Sequence, residues 1–227
     1  MPREQFEQDL QDLKDELLLL SSMSADSVHK AVEAMQSMDT RKARKIIEAD
    51  VAINRKRFAI EDTCLTLIAT QQPMARDMRL LAAILEIAGE LERIGDYGKG
   101  IGRIIIYMNG NTPIKKMVEI PRMETLAHTM LDKAMTAFVN GDVALAGSVP
   151  MLDDQVDDLY NLVYRELLEL LLAQPEAVER ANHLLWAAHN LERYADRTIN
   201  ICERVEYMCT GIYRETDTLE FGMSGVN

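Results

Sequence analysis

Glu92 and Asp96 stand four residues apart in the segment Leu91-Glu92-Arg93-Ile94-Gly95-Asp96. The same frame returns one hundred residues later as Leu191-Glu192-Arg193-Tyr194-Ala195-Asp196. On a helix, side chains at i and i+4 lie one above the other on one face. Two carboxylates in that arrangement offer hard oxygen donors to a cation such as Mg²⁺, Mn²⁺, Ca²⁺ or iron, whereas structural zinc prefers Cys and His. A chain with 37 acidic residues contains roughly six acidic i,i+4 pairs by chance, so one pair carries little weight. A pair that recurs in a matching frame carries much more.

Four oxygen donors need two helices. On the preceding helix of the first half the candidates are Asp50 and Asn54, and on that of the second half Asp154 and Asp158. If the helices run antiparallel, each half offers four oxygen-bearing side chains at similar heights. Without a cation such groups repel one another by several kcal/mol at moderate dielectric. Two readings of the residues stay open: a metal removes that repulsion, or Arg93, Arg193, Lys99 and Arg197 neutralise the acids in exposed salt bridges.

Composition narrows the class. The chain of 227 residues has a net charge of −12, which argues against nucleic acid as a partner, because binding it requires Lys and Arg to displace counterions. The charge suits cations or a basic protein surface. Hydrophobic residues make up 48% and aromatics only 5%, a balance that favours helices over sheets. Cys64, Cys202 and Cys209 form no CxxC and no Cys/His cluster, and are expected to be buried or inert thiols in a reducing compartment. No secretory leader and no run long enough to span a membrane is visible. Glu-x-x-His, phosphate-binding glycine loops and nucleophile elbows are absent, so catalysis has no positive support and the expectation is a protein that is not an enzyme. His189 precedes Glu192 by three residues and is read as a satisfied or exposed histidine.

The elements that must position these residues are long helices. Apolar spacing predicts helices over 4–38, 39–70, 73–108, 121–140, 142–173 and 175–212. The second takes Ala43, Ile46, Ile47, Ile53, Ile60, Leu65 and Ile68 as its apolar positions, and Ser21, Ser22 and Ser24 mark a soft spot in the first. Asp39 and Asp142 are matching N-caps, and Pro150 implies a kink or a fresh helix start. Pro73 suits a first helical turn. Gly95, Gly98 and Gly102 lie close to one stripe and point to close backbone approach. Asn109 to Thr112 form a strong turn signal and 214–227 read as a loose tail. The pattern is an internal repeat of about 100 residues. It predicts an all-α fold, a tandem repeat of two antiparallel three-helix bundles over 1–112 and 113–213.

With Glu92-Arg93-Ile94-Gly95-Asp96 and Asn190 to Asp196 in place, the chain resembles the PhoU family, whose paired Glu-x-x-x-Asp motifs these segments match. Asp77-Met78-Arg79, Asp154…Asp158, Asn200-Ile201 and Val205-Glu206-Tyr207 add to the resemblance, which covers about residues 5 to 212. It implies a cytoplasmic regulator, peripheral to the inner face of the membrane. Such a protein links the Pst phosphate ABC transporter to the phosphate-sensing histidine kinase and restrains the phosphate-starvation response. It also implies metal (iron, zinc, manganese or magnesium) held by Asp50, Glu92 and Asp96 in one site and by Asp154, Asp158, Glu192 and Asp196 in the other. Two departures stand out: Asn54 takes the place of an acid, and Arg197 follows the second motif where the family often has histidine. The alternatives are a structural helical adaptor without functional metal, and a metal-dependent bundle enzyme. Apolar positions on both sides of the long helices are compatible with a homodimer.

Overall fold

The computed structural model describes residues 2–108 and 113–212. Helices dominate because leucine, alanine, methionine and isoleucine recur at three- and four-residue spacing with few breakers between them. The order is α1 (Pro2–Gln36), α2 (Thr40–Gln71), α3 (Ala75–Met108), α4 (Glu119–Asn140), the single turn α5 (Val143–Ala146), α6 (Pro150–Ala173) and α7 (Val178–Thr210), with a 3-10 turn (Pro175–Ala177) before α7. The fold is all-α, six long helices in two bundles, as expected. The turn at 109–112 and the tail at 214–227 lie outside the described residues.

Caps set the helix starts. Asp39 Oδ1 accepts from the backbone N–H of Arg41 (2.9 Å) and Lys42 (3.0 Å); these bonds, led by that from Lys42, hold its carboxyl below the ordinary range. Asp142 caps α5 through the Leu145 N–H at 2.9 Å. Pro150 then opens α6 as a true helix start. Pro73 does not enter a helix: Gln72 adopts a left-handed backbone (φ 48°) and α3 begins only at Ala75. In α2 the buried stripe runs Ala43, Ile46, Ile53, Ile60, Cys64 and Leu67. Leu65, expected inside, is exposed, because the 3.6-residue period carries it off that face.

Within each bundle the helices pack pairwise, α1 and α2 on α3, and α4 and α6 on α7. The serines of α1 are no soft spot. The helix runs straight through them, and Ser24 and Ser27 are buried against α3. Gly98 is required there: a Cβ would stand 2.8 Å from the Ser27 carbonyl carbon and 2.9 Å from its oxygen. The expected close approach is therefore a backbone contact between α1 and α3.

The two bundles share one hydrophobic core. Their motif helices α3 and α7 lie side by side, antiparallel: Arg79 Nε donates to the Met208 carbonyl (3.4 Å), Arg204 pairs with Glu86 (2.7 Å), and Tyr107 stacks on His183. No described helix is long and apolar enough to cross a membrane.

Candidate functional site

Antiparallel packing of α3 against α7 turns the two Glu-x-x-x-Asp motifs outward, one towards α2 and the other towards α6. In the first half Asp50 comes from α2 and is only 4% exposed. Glu92 and Asp96 come from α3, half-buried and exposed respectively. Lys99, one turn beyond Asp96, reaches into the group: its Nζ donates to Asp50 Oδ2 at 2.6 Å and to Asp96 Oδ1 at 2.9 Å. The hydrogen bond to Asp50 raises the Lys99 ammonium above the ordinary lysine range. Asn54 Nδ2 also donates to Asp50, at 3.1 Å to Oδ2 and 3.2 Å to the carbonyl. Burial, then the charge of Asp96, pushes the Glu92 carboxyl up.

The second half differs. Asp154 and Asp158, the expected partners of Glu192 and Asp196, face solvent. One position earlier, Asp153 is half-buried, and Asp157, exposed like Asp154 and Asp158, acts by charge on Asp196 and Glu192 of α7. Burial, then the charges of Asp157, Asp196, Asp154 and Glu192, pushes Asp153 up to about 7. Burial, then Asp196 and Asp157, pushes Glu192 up to about 7 as well. Asp157 and Asp196 are raised too, burial leading in both, and for Asp196 Arg197, Arg193 and His189 oppose it. Asp153 Oδ1 and Glu192 Oε2 are buried without a hydrogen-bond partner. His189 Nδ1 lies 3.0 Å from Glu192 Oε2, at ion-pairing distance.

The repeat itself shows why the register shifts. Asp39 and Asp142 are equivalent caps, and eleven residues after each come Asp50 and Asp153. The same offset matches Asn54 with Asp157, and buried Ile53, Ile60 and Cys64 with buried Val156, Val163 and Leu167. Counting forward from the caps, rather than back from the Gln-Pro turns, finds Asp153 and Asp157 from the sequence.

Of the arginines expected to neutralise these acids, Arg193 and Arg197 act on them through space. Arg93 pairs with Glu90 (2.6 Å). Arg197 bonds to Glu90 (3.4 Å) and to the Tyr97 hydroxyl (3.2 Å) across the α3/α7 seam. Arg193 lies over the Tyr97 ring at 5.5 Å. Asn200 donates to Glu90 at 3.2 Å. Glu90 and Tyr97 carried no signal in the sequence, because their partners lie on the other half.

The donor chemistry of the second half fits a hard cation: four carboxylates, with a buried Asp153 oxygen that no protein donor satisfies. Among the described residues no three His, Cys, Asp or Glu side chains lie within chelating distance of one another as they stand.

The family profile described as the PhoU domain matches twice, over residues 17–105 and 120–205. The chain belongs to the PhoU family. Relatives that carry the name phosphate-specific transport system accessory protein PhoU homolog span nearly its whole length. One from Streptococcus pneumoniae is 33% identical over 92% of this chain and 97% of its own. One from Pseudomonas aeruginosa is 32% identical over 97% and 90%, and one from Clostridium acetobutylicum is 34% identical over 93% and 97%. The crystal structure of the phosphate transport system regulatory protein PhoU from S. pneumoniae superposes with a TM-score of 0.86 at 31% identity, covering 92% of this chain and 99% of that one. The P. aeruginosa PhoU structure gives 0.85 at 32% identity, covering 91% and 100%. The two PhoU matches coincide with the two bundles, one Glu-x-x-x-Asp motif in each.

Proposed function

We propose that this chain is a non-enzymatic regulator of phosphate uptake. It acts in the cytoplasm at the inner face of the membrane, couples a phosphate ABC transporter to a phosphate-sensing histidine kinase, and restrains the phosphate-starvation response. The observation that carries this reading is family membership over both halves, with relatives and solved structures named as accessory or regulatory proteins of phosphate transport. Deletion of the gene should switch on a phosphate-starvation reporter in phosphate-rich medium. A reporter that stays silent counts against the regulatory role.

The proposal includes a divalent or trivalent metal ion at Asp153, Asp157, Glu192 and Asp196. A metal there supplies concentrated positive charge that relieves the repulsion among the four carboxylates. The chain's own contribution is to supply two carboxyls from α6 and two from α7 that act on one another by charge. Asp153 and Glu192, both raised to about 7, retain protons near neutral pH until a cation competes for them. A second reading, an adaptor without functional metal that uses acidic faces against basic partner loops, is favoured by the separation of the donors. Chelation decides between them: partner binding that survives chelation unchanged supports the adaptor.

A further inference from the structure

The two halves repeat in fold but not in charge: besides Gly89/His189 and Tyr97/Arg197, two positions distinguish the carboxylate clusters. Where the first half has Asn54 the second has Asp157, and where the first has Lys99 the second has Ile199. The first half therefore gathers three carboxylates around an ammonium, and the second gathers four carboxylates with no lysine among them.

The first-half geometry is that of a filled cation site. Lys99 Nζ bridges α2 and α3 by donating to Asp50 and Asp96 at once, at 2.6 and 2.9 Å. Asn54 points its amide donor, not its oxygen, at Asp50, so a group able to ligate a metal through its oxygen is instead another hydrogen-bond donor to the same carboxylate. Asp50 is almost wholly buried, which makes expulsion of its counter-ion costly, since a buried charge deprived of its partner is strongly destabilising. One oxygen of Asp50, Oδ1, has no hydrogen-bond partner, so loss of the ammonium would leave a full carboxylate beside Glu92 and Asp96.

We propose that Lys99 is the resident cation of the first half, and that this chain takes up one metal equivalent, in the second half only. The second clause rests on the metal reading proposed above; the first does not. The first half is then a fixed electrostatic clasp between α2 and α3, and only the α6/α7 pair responds to cation supply.

The test is equilibrium binding of Mn²⁺ to the chelator-treated full chain at pH 8, read as equivalents per chain. Wild type should bind one, Lys99→Met two, and Lys99→Arg one. The reciprocal substitution Ile199→Lys places an ammonium in the second half and should lower one equivalent to zero, which keeps the test alive if Lys99→Met does not fold. Zero for wild type with one for Lys99→Met would retire the metal reading of the second half and leave the role of Lys99 standing. Two equivalents in wild type would overturn the proposal. So would a Lys99→Met protein, folded by circular dichroism, that binds no more than wild type, or an Ile199→Lys protein that still binds one.

Discussion

Replacing Asp153 by asparagine should stabilise the protein in the presence of chelator, and the gain should depend on pH. In the fold Asp153 titrates at about 7 against an ordinary 3.8, so across that window the folded chain binds more protons than the unfolded one. Stability then falls as pH rises through the window: the penalty is absent below about pH 4 and complete above about pH 7. The displacement corresponds to roughly 4 kcal/mol at 1.36 kcal/mol per pKa unit. Asp153 is only partly buried and water screens it, which leaves about 2 kcal/mol. Asp153→Asn should recover that amount at pH 8 and less of it at pH 5. For a chain of this size the gain at pH 8 is about 4–8 °C in Tm. Thermal unfolding followed by circular dichroism with excess chelator at the two pH values measures it. No stabilisation at pH 8, or an equal gain at both pH values, would refute the reasoning that repulsion and burial at this carboxylate oppose folding.

Three other outcomes follow from the packing and the seam. Gly98→Ala should destabilise by about 1–3 kcal/mol in denaturant titration, because its methyl meets the Ser27 backbone; Gly89→Ala, which meets nothing within 4 Å, should be neutral or gain up to about 1 kcal/mol. Among the cysteines only Cys209 is exposed, and burial pushes the Cys64 and Cys202 thiols up to about 12. A thiol-reactive dye at pH 8 should therefore modify one cysteine in the native protein and three after unfolding. Glu90→Ala removes the acceptor shared by Arg93, Arg197 and Asn200 and should cost about 1–2 kcal/mol. Loss at the seam should also separate the unfolding of the two halves, visible as a broadened transition.

Much of this molecule was legible in the sequence because the repeat states each rule twice. The caps Asp39 and Asp142 set the register of the repeat, the paired Leu-Glu-Arg frames located the long helices that carry the motifs, and the glycines of α3 announced a close neighbour. What failed did so for physical reasons. The repeat equivalents of Asp50 and Asn54 are Asp153 and Asp157, one residue before the expected Asp154 and Asp158, which follow from counting back from a turn. The segments before the two turns differ in length, whereas the cap and the buried stripe keep register. Leu65 was taken as one of the apolar positions of α2, although the helical period carries it outward. The thiols were expected to be uniformly buried or inert, but Cys209 sits on the last turn of α7, where the neighbours end. Lys99 was weighed only as a surface neutraliser, and its reach to buried Asp50 depends on how α2 packs on α3. The seam residues Glu90, Tyr97 and Arg197 needed the three-dimensional arrangement outright.

The most direct test of the account is an anomalous-difference map from crystals grown with Mn²⁺. The account predicts a peak between α6 and α7, within coordination distance of Asp153, Asp157, Glu192 and Asp196. A map with no peak there at saturating Mn²⁺, or with its strongest peak ligated by Asp154 and Asp158 away from α7, would contradict it.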